Sequence, residues 1–328
     1  MPRERTVAVT YQVNEDYTKI NADVLGADAT VVFSHQAAEE DRAALVAAAE
    51  ALICWNPGTE LPAGALASLP ELKFIQLMSA GADGVDFCAI PEHVVLAGNV
   101  GAYAAPIAEH VVAMALALAR RLPQRHAGLA AGEFNQRDRL ITLNGAVCAI
   151  LGYGGIGTAT AALMRGLGAR VYAINSNGQT TDPVDFAGTL ADLDEVLSAA
   201  DVVVVALPLT NETRDLIGAR ELSLMKPTAI LVNVARGAII NEEALYEHLK
   251  QNPKFMAGID AWWHEPGRGG TFRTDYPFFE LPNLLGSPHN SGIVPGVLAG
   301  AVAKAAENVR RYLRGEPVAG VMRRADYL

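Results

Sequence analysis

Short apolar runs alternate along the chain with longer stretches in which apolar residues recur at helical spacing. In the first hundred residues the runs lie at Thr6–Val9, Thr30–Phe33, Ala51–Cys54 and 73–77, and the segment 39–49 between two of them has the helical pattern. Such an alternation is typical of parallel strands joined by helices. The first third of the sequence therefore predicts a small parallel α/β sheet.

The same alternation begins again near residue 146 and gives six more predicted strands. These lie at 146–151, 170–175, 201–207, 229–234, 256–260 and 284–287. Six strands are the number in a complete doubly wound dinucleotide-binding sheet. We therefore predict the fold class as α/β, with two doubly wound parallel-sheet domains.

Two long helical patterns indicate how the domains are connected. The segment 106–122 is predicted as one helix, because Pro106 lies near its start and Pro123 just beyond its end, and a second helix is predicted at 294–313. Since the N-terminal sheet is small and the last helix follows the last Rossmann strand, we expect that helix to return to the N-terminal domain. The expected parts are a discontinuous, flavodoxin-like substrate domain, a Rossmann cofactor domain and a cleft between them, with residues 1–104 and 291–328 in the first domain and 105–290 in the second.

The composition is that of a globular protein and argues against several classes of partner. With 26 basic and 36 acidic residues the formal charge is -10, which disfavours a broad nucleic-acid or anionic-membrane surface. The longest apolar run, 111–119, is too short to span a bilayer. Three cysteines and seven histidines are scattered without disulfide or metal-ligand spacing. We therefore expect a cytoplasmic protein without a metal site.

The most informative motif is a glycine-rich turn that directly follows the apolar run 146–151. A helical pattern comes after the turn, which comprises Gly152, Tyr153, Gly154, Gly155, Ile156 and Gly157. Gly152 can adopt a tight turn, Gly154 lets the backbone approach a pyrophosphate, and Gly157 allows the next helix to pack closely. The N-terminus of that helix would direct N–H groups at the phosphates. A purely structural turn is the alternative, but the order of strand, turn and helix favours a dinucleotide.

Further segments, taken in order, resemble those of the D-isomer-specific 2-hydroxyacid dehydrogenase family. Two of these segments precede the glycine motif: a loop at 79–83 and an Ala-Glu-His sequence at 108–110. Three follow it: an Asn-Val-Ala-Arg-Gly sequence at 233–237, a Glu-Pro pair at 265–266 and a Pro-His pair at 288–289. The resemblance covers nearly the whole chain, and an ordered set of motifs is more specific than any one of them. It implies an NAD(P)-dependent enzyme, similar to glyoxylate or hydroxypyruvate reductases, that reduces small 2-oxoacids to D-2-hydroxyacids.

The resemblance implies three catalytic residues. Arg236 would hold the substrate carboxylate, since a guanidinium offers a planar fork of charged donors. His289 would act as general acid and base at the carbonyl oxygen, because imidazole titrates near neutrality. Glu265 would orient His289 and stabilise its protonated form, much as the aspartate does in a hydrolase triad. The structural alternatives are a surface ion pair for Arg236, a buried structural histidine and an exposed loop acid.

The same resemblance implies binding residues around these three. Backbone N–H groups of Ala80 and Gly81 would contact the substrate, with a plain turn as the alternative. Asp260 would approach the nicotinamide carboxamide, with a packing or turn residue as the alternative. A hydrogen bond between the domains, rather than a catalytic role, is expected of Glu109 and His110. The other residues expected near the cofactor, some of which could instead be packing or turn residues, are Asn175, Ser176, Leu207, Pro208, Thr213, Val234, Ala235 and His289.

Cofactor choice depends on the residue at the end of the second Rossmann strand. NAD-specific members usually have an aspartate there, which accepts hydrogen bonds from the ribose hydroxyls and repels a 2′-phosphate. This chain has Asn175, which repels no phosphate, followed by the candidate donors Ser176, Asn177, Thr180 and Thr181. No arginine stands just after Asn175. The cofactor is therefore expected to be NAD or NADP, with a slight preference for NADP.

Two other functions remain open on the sequence alone. Related formate dehydrogenases carry glutamine at the position of Glu265, so this residue favours a hydroxyacid over formate, whereas only a substrate test separates a hydroxyacid from phosphite. A few relatives are corepressors that sense nicotinamide nucleotides, but the complete set of Arg236, Glu265 and His289 favours turnover. The family also implies a homodimer formed through the cofactor domain.

Overall fold

The structure is a computed structural model that describes residues 5–266 and 270–328, apart from the side chain of Glu39. It divides into two compact units, one formed by Met1–Ala102 with Val294–Leu328 and the other by Tyr103–Ile293. Each unit contains a parallel sheet whose strands are connected by helices. The predicted α/β fold class is therefore confirmed.

The strands pair in parallel throughout the described residues. Their bounds are β1 (Thr6–Val9), β2 (Thr30–Phe33), β3 (Ala51–Cys54), β4 (Phe74–Leu77), β5 (Val95–Ala97), β6 (Val147–Leu151), β7 (Arg170–Ile174), β8 (Phe186–Gly188), β9 (Val202–Val205), β10 (Ile230–Asn233), β11 (Met256–Ile259) and β12 (Leu284–Gly286).

Apart from the last one, which follows β12, the α-helices lie between strands along the chain, as a parallel sheet requires. Their bounds are α1 (Glu15–Leu25), α2 (Glu39–Ala47), α3 (Pro57–Glu60), α4 (Ala104–Ala119), α5 (Leu122–Ala130), α6 (Gly155–Gly166), α7 (Leu193–Ala199), α8 (Ala219–Leu224), α9 (Glu242–Gln251) and α10 (Val297–Leu313). Among the described helices, none has the length and apolar character needed to cross a lipid bilayer.

The first unit contains a five-stranded sheet in the order β2-β1-β3-β4-β5, which is the flavodoxin-like order. The C-terminal helix α10 packs against α1 and against β4 of this sheet. A buried polar pair fixes it there, because Asn308 Nδ2 donates to Gln76 Oε1 at 2.6 Å and to Ala319 O at 2.9 Å. The end of the chain is thus part of the N-terminal unit.

The second unit contains a seven-stranded sheet in the order β12-β11-β10-β9-β6-β7-β8. Strands β7 and β8 follow β6 toward one edge of the sheet, whereas β9 to β12 lie on the other side of β6. The strand order therefore reverses between β6 and β9. Dinucleotides bind at such a reversal, outside the carboxyl ends of the strands. Strands β6, β9, β10 and β11 are buried at every residue, which explains why they are apolar apart from Asn233 at the end of β10.

The prediction of one helix over 106–122 is wrong at its C-terminal end. Helix α4 ends at Ala119, and α5 begins at Leu122 with Pro123 in its first turn. Arg121 between them has a φ of 51°, a left-handed conformation that interrupts the helix. Pro123 is tolerated because the first N–H groups of a helix have no partner within it.

The apolar pattern also fails to predict two edge strands. Strands β5 and β8 have three residues each and pair with a single neighbour. Three residues give only a weak alternating or continuous apolar pattern, although the equally short β12 is predicted. The second sheet accordingly has seven described strands where six are predicted.

Candidate active site

The residues singled out in the second half of the chain gather at one edge of the seven-stranded sheet. Because its strands are all parallel, their carboxyl ends meet there. The glycine turn follows β6 directly, Asn175 follows β7, and Val234 and Asp260 follow β10 and β11. Parallel pairing thus brings segments that are far apart in sequence to one edge.

Ala80 and Gly81 belong to the other unit, in the loop after β4. Ser79 Oγ donates to Gly81 O at 2.8 Å, and Ser79 O accepts from Asn99 N at 2.8 Å. A Cβ atom built on Gly98 would lie 2.4 Å from Ala80 O, so the two backbones are in close contact. The loop is well fixed, and its contact with a substrate stays a prediction.

The glycine turn is crowded where strand and helix meet and open where a phosphate would approach. Gly152 has a φ of 100°, and a Cβ on it would lie 2.5 Å from Ala206 O; a Cβ on Gly157 would lie 2.2 Å from Gly152 O. A Cβ on Gly154 would meet no atom within 4 Å. Gly154 is also the N-cap of α6 and has no side chain to bond the first-turn N–H groups. These groups fit the pyrophosphate of a dinucleotide.

Tyr153 lies within this turn and stays uncharged. Burial, followed by the nearby Asp182 carboxylate, raises the pKa of its phenol to about 12. The segment around Asp182 is held by Arg165, whose Nη1 donates to Pro183 O. The tyrosine is therefore a neutral group within the turn.

Asn175 uses its side chain inside its own loop. Its Oδ1 accepts from the N–H groups of Asn177 at 3.1 Å and Gly178 at 2.7 Å, and its Nδ2 donates to Gln179 O at 2.8 Å. Ser176 and Asn177 are exposed at the tip of this loop. The sequence presents Asn175 as a ribose ligand and does not reveal that it also braces the loop.

Thr213 likewise braces a loop at the end of β9. Its hydroxyl donates to Pro208 O at 2.6 Å and accepts from Thr210 N at 2.9 Å, and its side chain is buried. Leu207 is half-buried and Pro208 exposed. The hydroxyl of Thr213 is thus committed to the loop, and the expected cofactor contacts of Leu207 and Pro208 stay predictions.

The turn that carries Arg236 is fixed by a fully buried asparagine. Asn233 Oδ1 accepts from Ala235 N at 3.0 Å, and its Nδ2 donates to Arg236 O at 2.9 Å. The guanidinium Nη1 donates back to Ala235 O at 2.7 Å. Val234 and Ala235 are buried under the turn, so Arg236 is held at a defined position beyond β10.

His289 and Glu265 form a direct pair. His289 Nδ1 lies 2.7 Å from Glu265 Oε1, and the same oxygen accepts from Trp262 N at 2.8 Å. The glutamate is thus anchored by the backbone while it binds the imidazole. Since Nδ1 faces the carboxylate, Nε2 is the nitrogen left for proton exchange.

Asp260 is fully buried behind this pair. Its carboxylate accepts from Ser287 Oγ at 2.5 Å and from the N–H groups of Asn290 at 3.3 Å and Ser291 at 3.4 Å. Burial opposes ionisation, but the hydrogen bonds from Ser287 and Ser291 and the nearby His110 outweigh it and hold the pKa of the carboxyl below its usual range. Asp260 is therefore ionised, and its expected contact with the nicotinamide stays a prediction.

His110 has a hydrogen-bond partner within its own unit, and the hydrogen bond expected of it between the domains stays a prediction. Its Nε2 lies 2.9 Å from Ser287 Oγ and 3.7 Å from Asp260 Oδ1, and all three residues belong to the unit Tyr103–Ile293. The sequence places His110 on a helix but cannot show which strand end that helix face meets. The role expected of Glu109 stays a prediction.

Two structural residues of the site are missed from the sequence. Ser287 joins His110 to Asp260, and its carbonyl accepts from Trp262 Nε1 at 2.8 Å. Gly237 lets the backbone after Arg236 approach Trp262, because a Cβ there would lie 2.4 Å from Trp262 C. The only sequence signals are a hydroxyl before the Pro-His pair and a glycine after the arginine.

One group of side chains in the described residues has the donor set of a metal site. Glu242, His264 and Asp275 offer ligand atoms that lie within 4.8 Å of one another. Arg273 pairs with Asp275 and approaches His264 Nδ1 at 3.4 Å. The cluster thus contains its own cation, which fits an ion network better than a metal centre.

Comparison with known proteins gives the same family as the motifs. A family model described as the NAD binding domain of D-isomer specific 2-hydroxyacid dehydrogenase matches residues 112–291. Glycerate dehydrogenase of Methylorubrum extorquens is 31% identical over 263 residues, which cover 78% of this chain and 80% of that protein. D-3-phosphoglycerate dehydrogenase of Methanocaldococcus jannaschii is 29% identical over 317 residues, which cover 94% of this chain but only 58% of that protein.

A solved structure resembles the chain over its full length. It is a protein of Pyrobaculum aerophilum, provisionally named a formate dehydrogenase, with a TM-score of 0.81 and 29% sequence identity. The match covers 98% of this chain and 99% of that one. The fold of both units is therefore shared with this protein.

Alanine substitutions at Gly154, where a Cβ has space, and at Gly157, where it does not, test the proposed phosphate site. We expect Gly154→Ala to keep the free energy of unfolding within about 0.5 kcal/mol of wild type, because nothing opposes its Cβ. It should raise the dissociation constant for NAD(P)H about tenfold or more, since the phosphates need that space. Gly157→Ala should instead destabilise the apoprotein. Thermal unfolding and fluorescence titration measure both effects.

Gly166→Ala is the matched control, because a Cβ there also meets no atom within 4 Å and the residue ends the same helix. It should bind the cofactor like wild type. An unchanged dissociation constant for Gly154→Ala would contradict the phosphate-binding role of the turn.

Proposed function

The chain belongs to the D-isomer specific 2-hydroxyacid dehydrogenase family, and we propose that it transfers a hydride between NAD(P)H and a small 2-oxoacid to give a D-2-hydroxyacid. The observation that carries the proposal is the 2.7 Å hydrogen bond between His289 Nδ1 and Glu265 Oε1, at the carboxyl edge of the sheet. An imidazole oriented by a carboxylate is suited to reversible proton transfer at a carbonyl oxygen.

Proton transfer is the part of the reaction that this pair performs. NAD(P)H, when bound, supplies the hydride that forms the new C–H bond at the carbonyl carbon. His289 Nε2 gives a proton to the carbonyl oxygen in reduction and removes it from the hydroxyl in oxidation. Glu265 keeps Nδ1 in place and stabilises the charge that the imidazole carries before reduction.

Substrate orientation falls to Arg236 and to the loop with Ala80 and Gly81. The guanidinium pairs with a carboxylate at two points, which fixes the plane of the substrate. Its position is supported by Asn233, whose side chain holds both ends of the turn. Backbone N–H groups of Ala80 and Gly81 complete the carboxylate contacts in this proposal.

Formate oxidation is a second candidate, because the similar Pyrobaculum aerophilum structure carries that name. Conversion of formate to carbon dioxide releases no hydroxyl proton, so it has no use for a general base. Glu265, bonded to His289 at 2.7 Å, supports such a base. The hydroxyacid reaction therefore explains the pair better.

A substrate panel with two variants tests the proposal. We expect NAD(P)H oxidation with at least one of glyoxylate, hydroxypyruvate, pyruvate and phenylpyruvate, and no comparable reduction of NAD(P)+ by formate or phosphite. His289→Ala should lower kcat about 10²- to 10⁴-fold while cofactor affinity is retained. Arg236→Lys should lower kcat/KM about ten- to a hundredfold, because an ammonium cannot make the two-point contact.

Steady-state kinetics and a cofactor titration distinguish these effects. Turnover of His289→Ala within about threefold of wild type would remove this residue from the mechanism. An Arg236→Lys variant with wild-type kcat/KM would place the carboxylate contact elsewhere.

Cofactor preference is proposed to follow from the loop that Asn175 braces. No carboxylate stands at the end of β7, and the exposed Ser176 can donate to a 2′-phosphate. Asn175→Asp keeps the oxygen that accepts from Asn177 and Gly178 and loses only the donor to Gln179 O. The substitution therefore adds a charge while most of the loop contacts are retained.

We expect wild type to use NADPH at least as well as NADH. Asn175→Asp should shift the ratio of the two kcat/KM values about fivefold or more toward NADH, since one charge repulsion in a partly exposed site is worth about 1 kcal/mol. Asn177→Asp is the control for a general charge effect and should shift the ratio less. A wild-type preference for NADH above about tenfold would contradict this explanation.

A homodimer formed through the second unit is also proposed. Between residues 122 and 140, Leu122 and Leu129 are each 57% exposed and Phe134 is 78% exposed. Beside them a cavity of about 390 Å³ lies at the amino ends of β11 and β12, away from the candidate site, and Phe134 and Pro253 help to line it. Exposed apolar side chains around a concave surface are typical of a protein interface.

Phe134→Glu should convert a dimer into a monomer, because it places a charge in an apolar contact. Light scattering after size exclusion would then report half the wild-type mass, the single chain being 34.7 kDa. Val321→Glu, on an exposed apolar residue of the first unit, should remain dimeric. A wild-type monomer would overturn the proposal.

A further inference from the structure

Hydrogen bonds through the side chains of Ser287 and Asp260 connect His110 to the loop 287–291, which carries His289. Its Nε2 lies 2.9 Å from Ser287 Oγ, and Ser287 Oγ lies 2.5 Å from Asp260 Oδ1. The ionised Asp260 can only accept, so the serine hydroxyl donates to it. The serine oxygen then accepts from His110 Nε2–H. The hydrogen bonds therefore run in one direction, from helix α4 to the buried carboxylate.

Asp260 in turn holds the backbone on the far side of His289. Its two oxygens accept from the N–H groups of Asn290 at 3.3 Å and Ser291 at 3.4 Å. His289 has a φ of 52°, which residues other than glycine adopt only when their surroundings enforce it. The direction of the Asp260 carboxylate therefore helps to decide the backbone conformation of His289.

Because Asp260 is buried, the direction of its carboxylate depends on the hydrogen bond from Ser287. Asp260 has no exposed surface, so its charge depends on the donors around it. Ser287 supplies the shortest hydrogen bond to Oδ1, the next one being the 3.3 Å bond from Asn290 N. Without the hydroxyl, Oδ1 loses this donor, and His110 keeps only its direct 3.7 Å approach to Oδ1 in place of the hydrogen bonds through the serine.

We propose that His110 and Ser287 are positioning residues for the acid–base histidine. They orient the Asp260 carboxylate, and the carboxylate keeps the backbone of His289 in its left-handed conformation. The inference rests on the proposed function of His289. A merely structural link between α4 and the loop would stabilise the protein but would leave the turnover of the folded enzyme unchanged.

The variants Ser287→Ala and Ser287→Thr test the role of the hydroxyl. We expect Ser287→Ala to lower kcat for 2-oxoacid reduction about tenfold, with the NAD(P)H dissociation constant within about twofold of wild type. Ser287→Thr restores the hydroxyl and should return kcat to within about threefold of wild type. Ser198→Ala removes a hydroxyl that bonds Asp194 O on α7 and should leave kcat unchanged.

Histidine-selective NMR gives a second measurement that does not depend on turnover. The imidazole signal of His289, identified by its loss in His289→Ala, should move in Ser287→Ala and return in Ser287→Thr. Lower thermal stability together with an unchanged kcat and an unmoved His289 signal would overturn the proposal.

Variants of His110 keep the test decisive if Ser287→Ala does not fold. His110→Gln retains an N–H donor and should keep kcat within about threefold of wild type, whereas His110→Leu should lower it about three- to tenfold. Equal kcat values for these two variants, with the His289 signal at its wild-type position, would refute the inference. A wild type that reduces no 2-oxoacid would refute the proposed function instead, and the His289 signal would still decide the positioning role.

Discussion

The candidate site depends on backbone hydrogen bonds that continue one residue beyond five strands of the second sheet, β6, β9, β10, β11 and β12. In each case the first loop residue donates its N–H to the last residue of the neighbouring strand, at 2.8 to 3.3 Å: Gly152 to Ile174, Ala206 to Leu151, Val234 to Val205, Asp260 to Asn233, and Ser287 to Ile259. The loops therefore begin inside the sheet and take their geometry from it. Functional side chains need this precision, because they must be held within fractions of an ångström.

Beyond the first loop residue, the loops are held by hydrogen bonds from polar side chains and no longer by hydrogen bonds of the sheet. Asn233, Asn175 and Thr213 each bond backbone groups of the loop in which they stand. Such side chains satisfy backbone groups that no strand or helix can reach. The proposed function assigns ligand contacts to residues near them, as it does to Arg236 near Asn233. Residues that hold the loops and residues proposed to do chemistry thus alternate along the carboxyl edge.

The sequence predicts the parts of this arrangement that depend on local patterns. Strands such as β6 and β9 are apolar throughout and were expected from that pattern alone, and the glycine turn has the backbone conformation that its composition requires. The three-residue strand β8 has no such pattern, and the left-handed Arg121 gives no local warning of a helix end. The link from His110 to Ser287 spans 177 residues, so only the fold reveals it.

The backbone conformation of His289 costs stability, but it is kept at a residue whose side chain is proposed to act in the reaction. A left-handed backbone at a residue other than glycine costs about 1–3 kcal/mol, and glycine would remove most of that cost. Glycine would also remove the imidazole and its bond to Glu265. The protein keeps the strained histidine because fixed groups surround it: Glu265 at the ring, Asp260 at the two N–H groups that follow, and Trp262 at the carbonyl of Ser287. The strain is therefore balanced by contacts from the residues after β11, and it sets the direction in which the imidazole projects from its loop.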